Sequence, residues 1–97
     1  MISLESIKNV HFVGIGGISM SGLAHILLNS GYTVTGSDIN DSSIITKLKE
    51  KGARIFMSHD SKNVEGAELI VYTTAVKQDN CEIVRAKELG IPIVDRA

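Results

Sequence analysis

The 97-residue sequence holds one cysteine, one proline and no tryptophan, and its charges nearly cancel. The lone Cys81 excludes an intrachain disulfide and any metal site built from several cysteines. A formal net charge of -1 gives no electrostatic reason to expect a nucleic acid or a membrane as partner. No apolar stretch approaches the roughly 18 residues of a membrane-spanning helix, and the start, MISLESIKN, lacks the pattern of a secretory signal. We therefore expect one cytoplasmic domain.

What the sequence does contain is an alternation of strand-like and helix-like segments with glycines at the joints. Strands are predicted at NVHFVGI, YTVTGSD, ARIFMS, ELIVYTT and IPIVDR. Helical spacing of apolar residues predicts helices over about 19–30, after Asp41 or Ser42, and from a capping box formed by Asp79 and Glu82. The segment SKNVEGA has room only for a short helix or turn. This pattern predicts an α/β fold, a Rossmann-like open parallel five-stranded sheet of order 3-2-1-4-5 with helices on both faces.

A glycine-rich turn, GIGGIS, joins the first predicted strand to the first predicted helix. It matches the first two glycines of the G-x-G-x-x-G pattern and has Ser19 in place of the third. Glycines let backbone amides approach a phosphate closely, and the helix that follows supplies free N–H groups and a positive dipole end. Ser19 and Ser21 can add hydroxyl donors. The turn therefore predicts an anion site, with a tight turn that binds nothing as the alternative.

The same turn overlaps a second phosphate-binding pattern. Gly17 and Gly22 have the G-x-x-x-x-G spacing of a P-loop, but Leu23 and Ala24 stand where that motif needs Lys and Ser or Thr. Without the lysine there is no charge for the β- and γ-phosphates, and without the hydroxyl there is no Mg²⁺ ligand. The segment is therefore a poor site for ATP hydrolysis, although its backbone can still hold a diphosphate.

Asp38 supports a different interpretation. It lies 24 residues after Gly14, close to the spacing of about 20 at which an acidic residue binds the adenosine ribose in NAD sites. This predicts an NAD(P)-binding module of a dehydrogenase or a redox-sensing regulator, unless Asp38 only begins the turn into the second helix. A binding-incompetent or CoA-binding-type domain is a third possibility.

Polar residues also lie at the carboxyl ends of the third and fourth predicted strands. In open parallel sheets, ligands bind beyond the carboxyl ends of the strands, which is where His59 and residues 73–75 should lie. His59 is either a donor to a ligand oxygen or a surface residue that caps the next turn. His11 and His25 show no partner pattern, and the histidines are too scattered to predict a metal site.

Four segments of the sequence together resemble a known protein family. The segments HFVGIGGISMSGLA, GYTVTGSDI, GARIFMSHDSKNV and VYTTAVKQDNCEI, in this order, resemble the N-terminal domain of the Mur ligases over essentially the whole chain. The likeness is strongest to the members that join L-alanine to UDP-N-acetylmuramate in peptidoglycan synthesis, and second to those that attach a recycled tripeptide. The chain departs from the usual pattern at Ser19 and Ser58, where glycine is common, and at Cys81, where proline is common.

The resemblance implies that residues 1–97 form a single UDP-sugar-binding domain of a three-domain, ATP-dependent, amide-forming ligase. In that family a central domain carries the P-loop and the catalytic groups, and a C-terminal domain helps to bind ATP and the amino acid. The chain alone is therefore expected to bind UDP-N-acetylmuramate without catalysis, while ATP, Mg²⁺ and L-alanine are handled by the other domains. Because the sequence stops just after the last predicted strand, we expect a piece of a longer protein, with a short natural protein as the alternative.

The resemblance also implies roles for particular residues. The turn from Gly14 to Ser21 corresponds to the diphosphate cradle, and the Ser37–Asp38 pair, at the end of the second predicted strand, to a position near the uracil or ribose. The residues at the ends of the third and fourth predicted strands correspond to the remaining wall of the pocket. The expected UDP-sugar contacts are Gly14, Gly16, Gly17, Ile18, Ser19, Met20, Ser21, Ser37, Asp38, His59, Thr73, Thr74 and Ala75.

Overall fold

Strands and helices alternate along the chain, as the sequence predicts. The computed structural model describes residues 7–73 and 75–95. The strands are β1 (Asn9–Val13), β2 (Thr33–Ser37), β3 (Arg54–Phe56), β4 (Leu69–Tyr72) and β5 (Ile93–Asp95). The helices are α1 (Ile18–Asn29), α2 (Ser43–Glu50) and α3 (Cys81–Leu89), with a short 3-10 helix at Ser61–Val64. Each strand is a few residues shorter than predicted, because the ends of the predicted segments form the turns.

The strands form one five-stranded parallel sheet in the order β3-β2-β1-β4-β5, which confirms the predicted order. The chain runs outward from β1 through β2 to β3, then returns to the other side of β1 for β4 and β5. Phe12 in the central strand lies opposite Gly36 of β2 and Val71 of β4. The point where the connections diverge, between β1 and β4, is the switch point at which open α/β sheets bind ligands.

Both faces of the sheet are covered, and β1 shows how its residues divide between them. Val10 and Phe12 pack into the core under α1 and α2, whereas Val13 packs into the core under α3 and the 3-10 helix. Alternate residues of a strand point to opposite faces, so His11 shares the α3 face with Val13. The central strands β1 and β4 are the most deeply buried, and β4, with the sequence LIVY, is the continuous apolar run expected of a parallel strand that is covered on both sides.

The first two helices follow local sequence signals. In α1, Met20 and Ala24 are buried while Leu23, Leu27 and Leu28 pack partly against the core. Ser42, not Asp41, caps α2, with its hydroxyl accepting from the amide of Ile45. Within the described residues, no helix is both long and apolar enough to cross a bilayer.

The start of α3 differs from the prediction. Asn80 is the N-cap, and its side-chain oxygen accepts from the amide of Glu82 at 2.9 Å. The predicted capping box between Asp79 and Glu82 is wrong, because the Glu82 side chain is fully buried and points into the protein. Gly90 ends the helix in the left-handed conformation with φ +72°, as expected for a glycine after a helix C-terminus.

Candidate functional site

A cleft opens at the carboxyl ends of the strands on either side of the switch point. Its volume is about 390 Å³, at the small end of the range of roughly 300–1,000 Å³ that is typical of small-molecule sites. We refer to it as the switch-point cleft. It is lined by Gly14, Gly17, Ile18, Ser19, Met20, Asp38, Asn40, His59, Thr73, Ala75 and Val76.

The switch-point cleft brings together most of the residues predicted from the sequence. Gly16, Ser21 and Ser37 do not line it, and Thr74 lies outside the described residues. Asn40 and Val76 line the cleft without having been predicted. Both come within two residues of a predicted position, so widening each predicted segment would have found them.

Two larger hollows, of about 450 and 590 Å³, lie elsewhere on the surface. One is beside β3 and the 3-10 helix, around Arg54 and Phe56, and the other is against the start of α3, around Cys81. Neither is lined by the glycine-rich turn, and the α3 N-terminus is already capped by Asn80. The smaller cleft is therefore the better candidate for a ligand site.

The glycine turn is tied to the end of β2 by its own backbone. The amides of Gly14 and Ile15 both donate to the carbonyl of Ser37, at 2.8 and 3.0 Å, and the amide of Gly17 donates to the carbonyl of Gly14 at 3.3 Å. Gly14 has φ +81°, which a residue with a side chain rarely adopts. These contacts fix the turn, and they also occupy several amides that the sequence pattern suggested for a phosphate.

Asp38 closes the turn from the other side. Its Oδ2 accepts from the amide of Gly16 at 2.8 Å, and its Oδ1 accepts from the amide of Asn40 at 2.9 Å. A Cβ added to Gly16 would lie only 2.7 Å from Asp38 Oδ2, so this approach requires glycine. The carboxylate thus joins the glycine turn to the segment after β2 and still borders the cleft.

The first turn of α1 supplies the free donors of the cleft. Gly17 is the N-cap and offers no side-chain cap, and the first turn contains no acidic residue. Among the described residues, no partner accepts from the amides of Ile18, Ser19 and Met20, which precede the first helical hydrogen bond, from Ser21 to Gly17. Free amides at the positive end of a helix dipole form an anion site. The Ser21 hydroxyl is not available to it, because it donates to the carbonyl of Ile18.

The opposite wall of the cleft contains His59, held from behind by Ser37. The His59 side chain is 25% exposed, and its Nδ1 lies 3.0 Å from Ser37 Oγ. The Ser37 side chain is fully buried, so it supports the wall instead of touching the cleft. Thr73 and Ala75 complete the wall after β4, where the Thr73 hydroxyl accepts from the amide of Ala75 at 3.3 Å.

Behind His59 lies a buried carboxylate that the sequence reasoning missed. Glu82 is fully buried, and its Oε1 accepts from His11 Nε2 at 2.6 Å and from Ser37 Oγ at 2.8 Å. His11 is also fully buried, and its Nδ1 lies 2.8 Å from Thr35 Oγ1. Glu82 lies four residues before Ala86 in α3, so both side chains are on the same face of the helix. This spacing was the one signal in the sequence that Glu82 faces inward.

The second oxygen of Glu82 completes the network. It accepts from the amide of Asp60 at 3.1 Å and from Asn63 Nδ2 at 2.9 Å, and it lies 3.3 Å from His59 Nδ1. Burial by itself raises the pKa of Glu82, but the hydrogen bonds and the charge that His11 contributes outweigh it and lower the pKa to about 2. The group is therefore a carboxylate at neutral pH, and it connects α3, β1, β2 and the segment after β3.

Comparison with known proteins shows which family the sequence belongs to. The sequence model of the family described as "Mur ligase family, catalytic domain" matches residues 9–97. The UDP-N-acetylmuramate–L-alanine ligase of Caldanaerobacter subterraneus subsp. tengcongensis is 59% identical over 96 residues, which cover 99% of this chain and 21% of that protein. The enzyme of the same name from Acetivibrio thermocellus is 61% identical over 90 residues, covering 93% of this chain and 19% of that protein.

Solved structures give the same result. The crystal structure of UDP-N-acetylmuramate-alanine ligase MurC from Thermotoga maritima matches with a TM-score of 0.87 and 41% identity, over 93% of this chain and 21% of that one. A UDP-N-acetylmuramate:L-alanyl-gamma-D-glutamyl-meso-diaminopimelate ligase from Neisseria meningitides matches with a TM-score of 0.84 and 26% identity, over 94% of this chain and 29% of that one. The chain thus spans about a fifth of the length of the curated relatives it matches. By its sequence over residues 9–97 and by its fold, the chain belongs to the Mur ligase family.

Proposed function

We propose that this chain is the UDP-sugar-binding domain of a Mur ligase that joins L-alanine to UDP-N-acetylmuramate. The observation that carries the proposal is the free first turn of α1, which opens on a cleft bordered by His59. A helix N-terminus at the switch point of a parallel sheet suits a diphosphate. The identities of 59% and 61% to L-alanine ligases support this choice of substrate over the tripeptide-adding branch.

In this proposal the predicted site residues divide by role. The amides of Ile18, Ser19 and Met20 bind the diphosphate, because they are the donors that the fold leaves free. Residues that shape the turn or support the wall act through their neighbours, and the others face the sugar or nucleoside. The shaping and supporting residues are Gly14, Gly16, Gly17, Ser21 and Ser37, and the facing residues are Asp38, His59, Thr73 and Ala75. Thr74 lies outside the described residues and stays a predicted contact.

The chain's part in such a ligase is to bind and orient the UDP-sugar. With Leu23 and Ala24 where a P-loop has Lys and Ser or Thr, the glycine turn supplies neither a cation for ATP nor a hydroxyl for Mg²⁺. We place ATP, Mg²⁺, L-alanine and the catalytic groups in further domains of a three-domain cytoplasmic enzyme of peptidoglycan synthesis. ATP would supply the driving force for the amide bond, and residues 1–97 alone would be inactive.

An NAD(P)-binding module is not favoured. In an NAD site the acidic residue after the second strand binds the ribose, whereas here Asp38 directs one oxygen to Gly16 and the other to Asn40. The relatives that the chain matches at 54–61% identity are ligases. We therefore propose that the main role of Asp38 is to hold the glycine turn in place, and that a ligand contact is its second role.

Amide NMR of the ¹⁵N-labelled chain tests the proposal. UDP-N-acetylmuramate should shift the amides of Ile18, Ser19 and Met20 in a saturable way, and UDP alone should shift the same amides more weakly. NAD⁺ at equal concentration is the competing ligand. Saturable shifts at these amides with NAD⁺ and none with UDP-N-acetylmuramate would overturn the assignment.

A further inference from the structure

Stability alone does not explain why the carboxylate of Glu82 is buried. A buried carboxylate loses its hydration, and well-packed apolar residues often stabilise a core as well as buried charges do. Here the carboxylate lies directly behind the wall of the switch-point cleft. It contacts His59, which lines that cleft. Its other partners come from β1, β2 and the segment that carries His59. The arrangement is therefore suited to controlling which ring nitrogen of His59 carries the proton and which one is offered to the cleft.

The direction of each hydrogen bond follows from the available protons. Ser37 has one hydroxyl proton and lies 2.8 Å from Glu82 Oε1, which as a carboxylate oxygen can only accept. Ser37 therefore donates to Glu82, and its own oxygen is left as an acceptor. His59 Nδ1 faces that oxygen at 3.0 Å and Glu82 Oε2 at 3.3 Å. Because both neighbours of Nδ1 accept, Nδ1 must carry a proton.

We propose that Glu82 is a positioning residue that holds His59 as the Nδ1–H tautomer, directly and through Ser37, so that Nε2 is the ring nitrogen offered to the ligand. A neutral ring then accepts at Nε2 from a sugar or ribose hydroxyl, and a protonated ring donates from Nε2 to a phosphate oxygen. In both cases the contact is made by Nε2, because Glu82 and Ser37 keep the other nitrogen, Nδ1, protonated. The consequence for the ligand rests on the function proposed above, whereas the tautomer itself does not.

The tautomer can be read from the ¹⁵N shifts of labelled histidine in long-range ¹H–¹⁵N spectra of the ligand-free chain. At a pH where the ring is neutral, we expect a protonated Nδ1 and an unprotonated Nε2 for His59. Glu82→Gln places an amide where the carboxylate was, which removes the obligatory acceptor and should shift His59 measurably toward the Nε2–H form. Affinity for UDP-N-acetylmuramate should fall by roughly tenfold, the lower end of the loss that follows when the partner behind a metal-ligating histidine is removed.

Two further variants keep the test decisive. Ser37→Ala, which preserves the charge of Glu82, should give a smaller tautomer shift and serves if Glu82→Gln does not fold. Glu88→Gln makes the same chemical change on α3 at a side chain that is 59% exposed, and it should alter neither the tautomer nor the affinity. An Nε2–H tautomer in the unmodified chain would overturn the proposal, and so would folded Glu82→Gln and Ser37→Ala chains that keep the original tautomer. If UDP-N-acetylmuramate fails to bind while the tautomer result holds, only the proposed function fails.

Discussion

Glu82 and His11 are 71 residues apart in the chain and meet in the interior, with 2.6 Å between Glu82 Oε1 and His11 Nε2. Both side chains are fully buried, so the contact joins α3 to the central strand β1 where water does not screen it. The same carboxylate accepts from Ser37 at the end of β2. The wall of the switch-point cleft and the core of the sheet therefore share one hydrogen-bonded network.

This network makes folding stability depend on pH. Burial raises the pKa of Glu82, yet the hydrogen bonds from His11, Asn63 and Ser37 and the His11 charge outweigh it, and the pKa falls from 4.5 to about 2. Since the folded pKa is depressed, the contribution is fully present above pH 4.5 and is lost as pH falls toward about 2. A shift of this size corresponds to on the order of 3 kcal/mol. Urea unfolding at about pH 7 and about pH 3 measures the free energy of unfolding under both conditions.

In that experiment, Glu82→Gln should be less stable than the unmodified chain at neutral pH. It should also lose less stability on acidification, because glutamine does not titrate. Glu88→Gln is the matched control and should keep the pH dependence of the unmodified chain, since the Glu88 side chain is 59% exposed. Equal pH dependence in Glu82→Gln and the unmodified chain would show that the buried carboxylate does not have the depressed pKa.

Gly16→Ala tests the contact between Asp38 and the glycine turn. The added Cβ would lie 2.7 Å from Asp38 Oδ2 and 3.3 Å from Ile45 Cδ1, so the turn or the carboxylate must move. We expect a loss of about 1–3 kcal/mol in unfolding free energy, as for other overpacked sites, together with weaker binding of UDP-N-acetylmuramate. Gly22→Ala is the control, because a Cβ there meets nothing within 4 Å, and alanine should stabilise α1 by up to about 1 kcal/mol. Similar effects of the two substitutions on stability would contradict this account.

Asn80→Ala tests the observed start of α3. Removing the side chain that accepts from the amide of Glu82 should cost about 1 kcal/mol of unfolding free energy. Asp79→Ala, at the cap position that the sequence suggested, should change it by less than about 0.5 kcal/mol. Urea unfolding of both variants decides between the two caps, and a larger loss for Asp79→Ala would restore the capping box.

The order of the strands could be predicted because it follows from local signals. Apolar runs, helical spacing and glycines at the joints mark each element, and right-handed crossovers then restrict the topology. Ser42 acts as the sequence suggests, and Gly90 is one of the glycines that mark the joints, since an N-cap and a left-handed turn each depend on a few neighbouring residues. The cap of α3 was misjudged because Glu82 fits a capping box locally, while tertiary contacts draw its side chain inward.

The site was predictable in position but not in its internal contacts. Ligands bind at the switch point of such sheets, so His59 and the glycine turn could be placed in one cleft from the sequence. The partners of His11 could not be predicted, because its contact with Glu82 depends on how α3 is rotated against the finished sheet. The same holds for Asp38 and Gly16, whose approach depends on the packing of the β2 end against the turn. These contacts decide which amides of the glycine turn stay free for a ligand, so the free amides could not be predicted from the sequence.

Ser19→Glu tests whether the free amides at the start of α1 bind the ligand's phosphates. The first turn contains no acidic residue, so a glutamate there should stabilise the helix by about 0.3–1 kcal/mol through the helix dipole. The same charge should repel a diphosphate, so affinity for UDP-N-acetylmuramate should fall while stability rises. Ser43→Glu places an equivalent charge in the first turn of α2, which also lacks an acidic residue and does not line the cleft. It should give the stability gain alone, and an equal loss of affinity in both variants, measured by NMR titration, would place the phosphates away from α1.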